Sequence, residues 1–224
     1  MNKNLIDNSD GSRAKIVFFG RIMANVSHEF NNIITVISEL AGLLKDLSLM
    51  ARKGRPIPND KIESISDNIS KQVARGKHLV SHMNRFSHSA DEPKAEIDLA
   101  QVMENIQVLT DRLFKNRQTE MIVRNPPEKI SLRNDPFGLC CVLFACLDRF
   151  LDVSSSEVSV VISRQEEEGN AEVRISGPVE TLPPDFPAHL DALKEQAKAI
   201  HGQLSFEKNE TQILIRLILS SNRE

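Results

Sequence analysis

The sequence predicts an antiparallel helical hairpin forming a dimeric four-helix bundle, followed by a separate α/β domain. Three observations carry that prediction. Apolar residues recur every three or four positions across residues 19–47, and a break bearing Gly54, Pro56 and Pro58 splits the helical pattern at 51–60. Beyond residue 157 the apolar period drops to two.

Residues 1–12 are polar and read as a flexible tail. The hairpin occupies 13–89. Its first helix carries Phe19, Met23, Val26, Phe30, Ile33, Ile37, Leu40, Leu44 and Leu47 in steps of four and three. An average step of about 3.5 is the seam of a coiled coil or bundle. Asp60 is placed to cap the second helix, whose weaker seam holds Ile62, Ile65, Ile69, Val73, Val80, Met83 and Phe86. One hairpin cannot bury both seams, and a two-fold dimer of hairpins can.

The segment 90–98 is charged, contains Pro93 and reads as a linker to a domain at 99–224. A helix is expected over 99–117 and a short strand at 121–123. Asp135-Pro136 is a cap followed by proline in the first turn, opening a helix to about Leu151. The alternating runs 157–163 and 171–176 read as half-buried strands joined by a polar turn holding the acidic run 166–168. A helix at about 187–200 and a final hairpin complete a largely antiparallel sheet with helices on one face.

Composition narrows the function classes. Hydrophobic residues make up 40% and charged residues 26%, as in an ordinary globular protein. A net charge of −3 and the absence of Trp and Tyr leave neither a basic footprint nor a stacking platform for nucleic acid. No apolar run approaches the length of a membrane span, and the polar N-terminus has no signal-peptide pattern. Three cysteines fit a reducing compartment, so a cytoplasmic location with no nucleic acid or membrane partner is expected. Cys140, Cys141 and Cys146 fall on an apolar helix and read as small core residues.

His28 lies outside the seam of the first helix, with Glu29 beside it and Asn32 one turn on. A neutral imidazole is a nucleophile near pH 7, and an adjacent carboxylate can take up its second proton. A carboxamide one turn away can orient water or a phosphoryl oxygen. An isolated His-Glu pair is more often a solvated surface pair, so the surroundings decide. Arg21, about two turns before His28, and Asn25 and Asn31, each within a turn of it, form the expected docking surface.

The string MANVSHEFNNIITVISELAGLL resembles the phosphoacceptor box of two-component sensor histidine kinases, through His28, Glu29, Asn32 and the frame Val26, Phe30, Ile33 and Ile34. That family carries the box on the first helix of a dimeric hairpin, and the resemblance covers the chain after residue 12. It implies that His28 is phosphorylated, that Glu29 assists transfer, and that Asn32 supports dephosphorylation of a bound response regulator. It also implies that the second domain is a histidine-kinase-type α/β sandwich.

That sandwich reads as degenerate. The family binds ATP with an Asn-rich helix, an Asp-x-Gly-x-Gly loop and a glycine-rich lid. Here Ala145 and Arg149 stand at the two Asn positions, Gly177-Pro178 stands where the adenine-reading Asp belongs, and no glycine lies between Gly177 and Gly202. A magnesium-nucleotide needs oxygen ligands and backbone amides around its phosphates. The expectation is therefore a homodimeric histidine phosphotransferase that exchanges phosphoryl groups with response-regulator receiver domains. It needs no cofactor of its own, since the receiver brings the magnesium. The rival readings are a pseudokinase that docks or sequesters a regulator, a phosphatase acting through Asn32, and a divergent kinase. His78 and His82 share one helix face at metal-ligand spacing, but no carboxylate or Cys in the sequence completes a set, so no metal site is expected.

Overall fold

The structure is a computed structural model that describes residues 4–153, 156–165, 170–179, 181–184 and 186–220, with backbone alone for 4–12, 14, 187 and 188. The acidic run 166–168 lies outside the described residues. Helix α1 (Asn4–Arg52) and helix α2 (Asn59–His88) form the hairpin. Phe18 meets Phe86, Glu29 meets Arg75, and Ile33 approaches Gly76, so the two helices run antiparallel.

Two expectations about this part change. The segment expected as a loose tail is helical from Asn4, because a helix already nucleated gains a hydrogen bond with each added residue. Asp60 does not cap α2. The cap position is Pro58, without a side-chain bond, and Asp60 sits inside the first turn, where its charge complements the helix dipole.

Residues 95–98, expected as the end of a linker, form strand β1 (Ala95–Asp98), which pairs antiparallel with β3 (Ser131–Asn134). A four-residue strand with one buried apolar residue, Ile97, leaves little period-two signal to read. Between them lie helix α3 (Leu99–Asn116), capped by the Asp98 carboxylate on the Ala100 amide, and strand β2 (Glu120–Arg124). Helix α4 (Pro136–Val153) begins as expected, with the Gly138 amide donating to Asp135 Oδ1 at 2.9 Å. A Cβ on Gly138 would come within 2.8 Å of Ile200, so the close approach of this turn requires glycine.

Strands β4 (Glu157–Arg164) and β5 (Ala171–Pro178), helix α5 (Phe186–Ala199), and strands β6 (Gly202–Lys208) and β7 (Gln212–Leu219) complete the chain. The sheet order is β2-β4-β5-β7-β6, parallel between β2 and β4 and antiparallel elsewhere. Alternate residues of β5 and β7, such as Val173, Ile175, Ile215 and Leu217, are fully buried beneath the helices.

The second domain rests directly on the hairpin. Phe18 of α1 packs edge-on against Phe86 of α2 at 5.4 Å and against Phe144 of α4 at 4.8 Å, and Phe137 joins both helices. The buried face of α1 is therefore Phe18, Ile22, Val26 and Ile33, while Phe19 of the expected seam is 41% exposed. Packing against α3 and α4 has turned the upper part of α1 away from a simple hairpin seam.

Removing a buried aromatic leaves a cavity as well as lost transfer energy. Phe86→Ala should lower unfolding stability by about 3–5 kcal/mol, read by denaturant titration. A loss below about 1 kcal/mol would contradict the cluster's role.

Candidate functional site

His28 stands on the exposed side of α1, and among the described residues no hydrogen bond or ion pair engages it. The cause is rotation. With Phe18, Ile22 and Val26 fixed in the core, His28 follows Ile22, the middle of that buried line, by six residues, about 240° around the helix, which turns it out of the core. Asn31 and Asn32 are exposed on the same stretch of helix. The structure thus presents His28, Asn31 and Asn32 together to solvent, midway along a long rigid rod.

The other expected residues lie elsewhere. Asn25 is 6% exposed, and its amide donates to the Leu109 carbonyl because α3 packs over that side of α1. It is a buried tie between α1 and α3, not a docking residue. Arg21 donates to Asp148 at 2.5 Å and lies over the Phe144 ring at 5.4 Å, which commits it to the contact between α1 and α4. Glu29 is half-buried and ion-paired with Arg75 of α2. Consecutive helix residues point about 100° apart, so the Glu29 carboxylate turns into a cleft of about 310 Å³ between α1, α2 and α3. Arg75, His78, Gln107 and Asp111 line the same cleft. Sequence reasoning missed Arg75, since its link to Glu29 needs the register of the hairpin.

The helix that the resemblance marks for nucleotide binding is α4. A groove of about 820 Å³ runs beside it, bounded by α5 and by Lys15 and Arg21 of α1. Ala145 lines this groove and offers no polar side chain. Arg149 pairs with Asp148 at 3.7 Å and Asp152 at 3.5 Å, and its guanidinium lies 3.4 Å from His189 Nδ1. Asp148, itself buried, is shared between Arg21 and Arg149. Gly177 and Pro178 continue strand β5 and pair with Ile213 and Gln212 of β7. The charged groups of this groove have protein partners: Arg21 and Arg149 with Asp148, Lys15 with Asp135 and Glu195 with Lys198, and its rim mixes both signs.

Cys140, Cys141 and Cys146 are all buried on α4. Burial pushes each thiol up from 9.0 to about 12, which removes the reactive thiolate at neutral pH. The expectation of core cysteines agrees with this placement.

The sequence matches no protein-family profile, and no curated protein matches it. Solved structures do match. The histidine kinase AdeS of Acinetobacter baumannii is similar over 88% of this chain and 98% of that chain, with a TM-score of 0.50 and 15% identity. The nucleotide-free catalytic domain of the histidine kinase ThkA is similar over 58% of this chain and 98% of its own, with a TM-score of 0.51 and 10% identity. The chain therefore has a histidine-kinase-like fold, a helical part followed by the α/β sheet domain. Among the described residues no helix is long and apolar enough to cross a membrane.

The buried thiols set a pH prediction. Their folded pKa lies above the unfolded value, so the stability they contribute is complete below about pH 8.5 and is lost as pH rises towards 12. A disulfide reagent at pH 8 should leave the native thiols unlabelled and modify all three after denaturation. Rapid native labelling would contradict their burial.

Proposed function

We propose that the chain is a histidine phosphotransferase of a two-component phosphorelay, moving a phosphoryl group between His28 and the aspartate of a response-regulator receiver domain without using ATP. The observation that carries the reading is the free, exposed His28, together with a groove beside α4 whose two arginines are engaged by Asp148 and Asp152. A docking receiver supplies the aspartyl phosphate and its magnesium. An imidazole nitrogen of His28 attacks phosphorus, the P–N bond forms, and the P–O bond to the aspartate breaks with release of its carboxylate. Proximity does most of the work, because both reacting groups are held by rigid elements. Asn31 and Asn32 flank the incoming phosphoryl group on the exposed face. Glu29 takes part by leaving Arg75 and accepting the proton shed by the second ring nitrogen.

A homodimer belongs to the same reading. Ile62, Val73 and Val80 are each about 41–42% exposed and stand eleven and eighteen residues apart on α2, about three and five whole turns. On α1, Phe19 and Ile34 remain 41% and 56% exposed. Two apolar lines on one hairpin are what a two-fold four-helix bundle would cover.

The capture of Glu29 by Arg75 favours one second reading, a phosphatase of the receiver. In that reaction Asn32 orients water against the phosphoaspartate, and neither His28 nor Glu29 is required.

The test is incubation of the full chain with labelled phospho-receiver domains. His28→Ala should lower acid-labile label on the chain at least about 10³-fold, as expected for loss of a nucleophile. Asn32→Ala should keep transfer and slow loss of phosphate from the receiver about 10²-fold, the scale of one missing transition-state hydrogen bond. Transfer that persists in His28→Ala contradicts the assignment, and receiver dephosphorylation without any label on the chain establishes the phosphatase.

A further inference from the structure

We infer that His78, His82 and Glu104 form a zinc site that ties the hairpin to the second domain. His78 and His82 lie one turn apart on α2, and Glu104 comes from α3, 22 residues beyond His82 in sequence. One ligand atom from each lies within 4.8 Å of the other two. The sequence offered the histidine pair but gave no sign of the carboxylate, which reaches the pair only when α3 packs on α2.

The histidine geometry is specific. His82 is 2% exposed, and its Nδ1 lies 2.9 Å from Asn105 Oδ1. An amide oxygen only accepts, so Nδ1 carries the proton and the lone pair is left on Nε2. That Nε2 faces His78 Nε2 at 3.2 Å. Two nitrogens bound to one tetrahedral zinc, each at about 2.0–2.1 Å, stand about 3.3 Å apart. The bond from Asn105 is the outer contact that fixes tautomer and ring orientation in metal-bound histidines. Two imidazoles and a carboxylate with one position left for water are an ordinary zinc donor set.

The surroundings agree with a neutral, metal-ready imidazole. Burial lowers the pKa of His82, opposed by the Asn105 bond; nearby His78 and Arg85 lower it further, and Glu104 raises it. Glu104 is otherwise held by Arg85 at 3.8 Å, with both side chains about half exposed, a weak pair that a divalent ion can displace. The competing description is a simple hydrogen bond from the His78 Nε2–H to the His82 lone pair. His78 also lines the cleft that holds Glu29 and Arg75. An ion here would fix α2 against α3 and so hold the second domain in its observed seat.

The experiment uses the full chain stripped by chelator, then titrated with zinc and, separately, with cobalt(II). The unchanged chain should retain one zinc per protomer after dialysis, give the intense visible bands of tetrahedral cobalt, and melt at a higher temperature with zinc. His78→Gln and Glu104→Gln alter exposed side chains and should fold. Each should weaken zinc binding at least tenfold, and Asn105→Ala about 10–100-fold. His88→Ala, which alters the separate His88–Asp91 pair, should leave zinc binding unchanged. Zinc retained equally by His78→Gln and the unchanged chain, or retained by neither, would overturn the site. None of these readouts depends on phosphoryl transfer.

Discussion

The contact of Phe18 with Phe86 and Phe144 sets the rotation of α1, and most other features of the molecule depend on that rotation. Once Phe18, Ile22 and Val26 are buried against α2, α3 and α4, the opposite side of the helix must face solvent, and His28 is on it. The same rotation sends Asn25 under α3, Arg21 across to Asp148, and Glu29 into the cleft with Arg75. One aromatic cluster thereby sorts the polar residues around His28 into those that tie the two parts together and those left for a partner. An aromatic cluster suits this task because ring packing has preferred geometry as well as buried area.

The polar ties make the seat of the second domain specific. Asp148 is buried and held by two arginines, one from each part of the molecule. A buried carboxylate that lost either partner would be costly, so the domain does not leave α1 without penalty. The arginines that might have served an anionic ligand are thus engaged in holding the structure together. On the proposed reading this is how a kinase-like fold comes to serve as a support for an accepting histidine: charged groups beside α4 stabilise its contact with the hairpin instead of a nucleotide.

Much of this was legible in the sequence, for particular reasons. The hairpin break is marked by Gly54, Pro56 and Pro58, and the cap Asp135-Pro136 fixes the start of α4 within a residue. Alternation in β4, β5 and β7 reads directly because one face of the sheet is buried. His28 and Asn32 could be placed on an exposed helix face from spacing alone. What stayed hidden depends on contacts between distant segments. The seam pattern does not say which of Phe18 and Phe19 the second domain will cover, since they are adjacent and equally apolar. Arg75 and Glu104 are ordinary charged residues until the register of α2 against α1 and α3 brings them to Glu29 and the histidine pair. The short strands β1 and β3 carry too few residues to show a period.

On the proposed reading the histidine receives its phosphoryl group from a partner, and the charged groups beside α4 serve one another in place of a magnesium-nucleotide. The most direct measurement offers the purified chain γ-labelled ATP with magnesium and follows both saturable binding and label on His28. The account predicts neither, even at millimolar nucleotide. Stoichiometric label on His28 from ATP alone would contradict it and make the chain a divergent kinase.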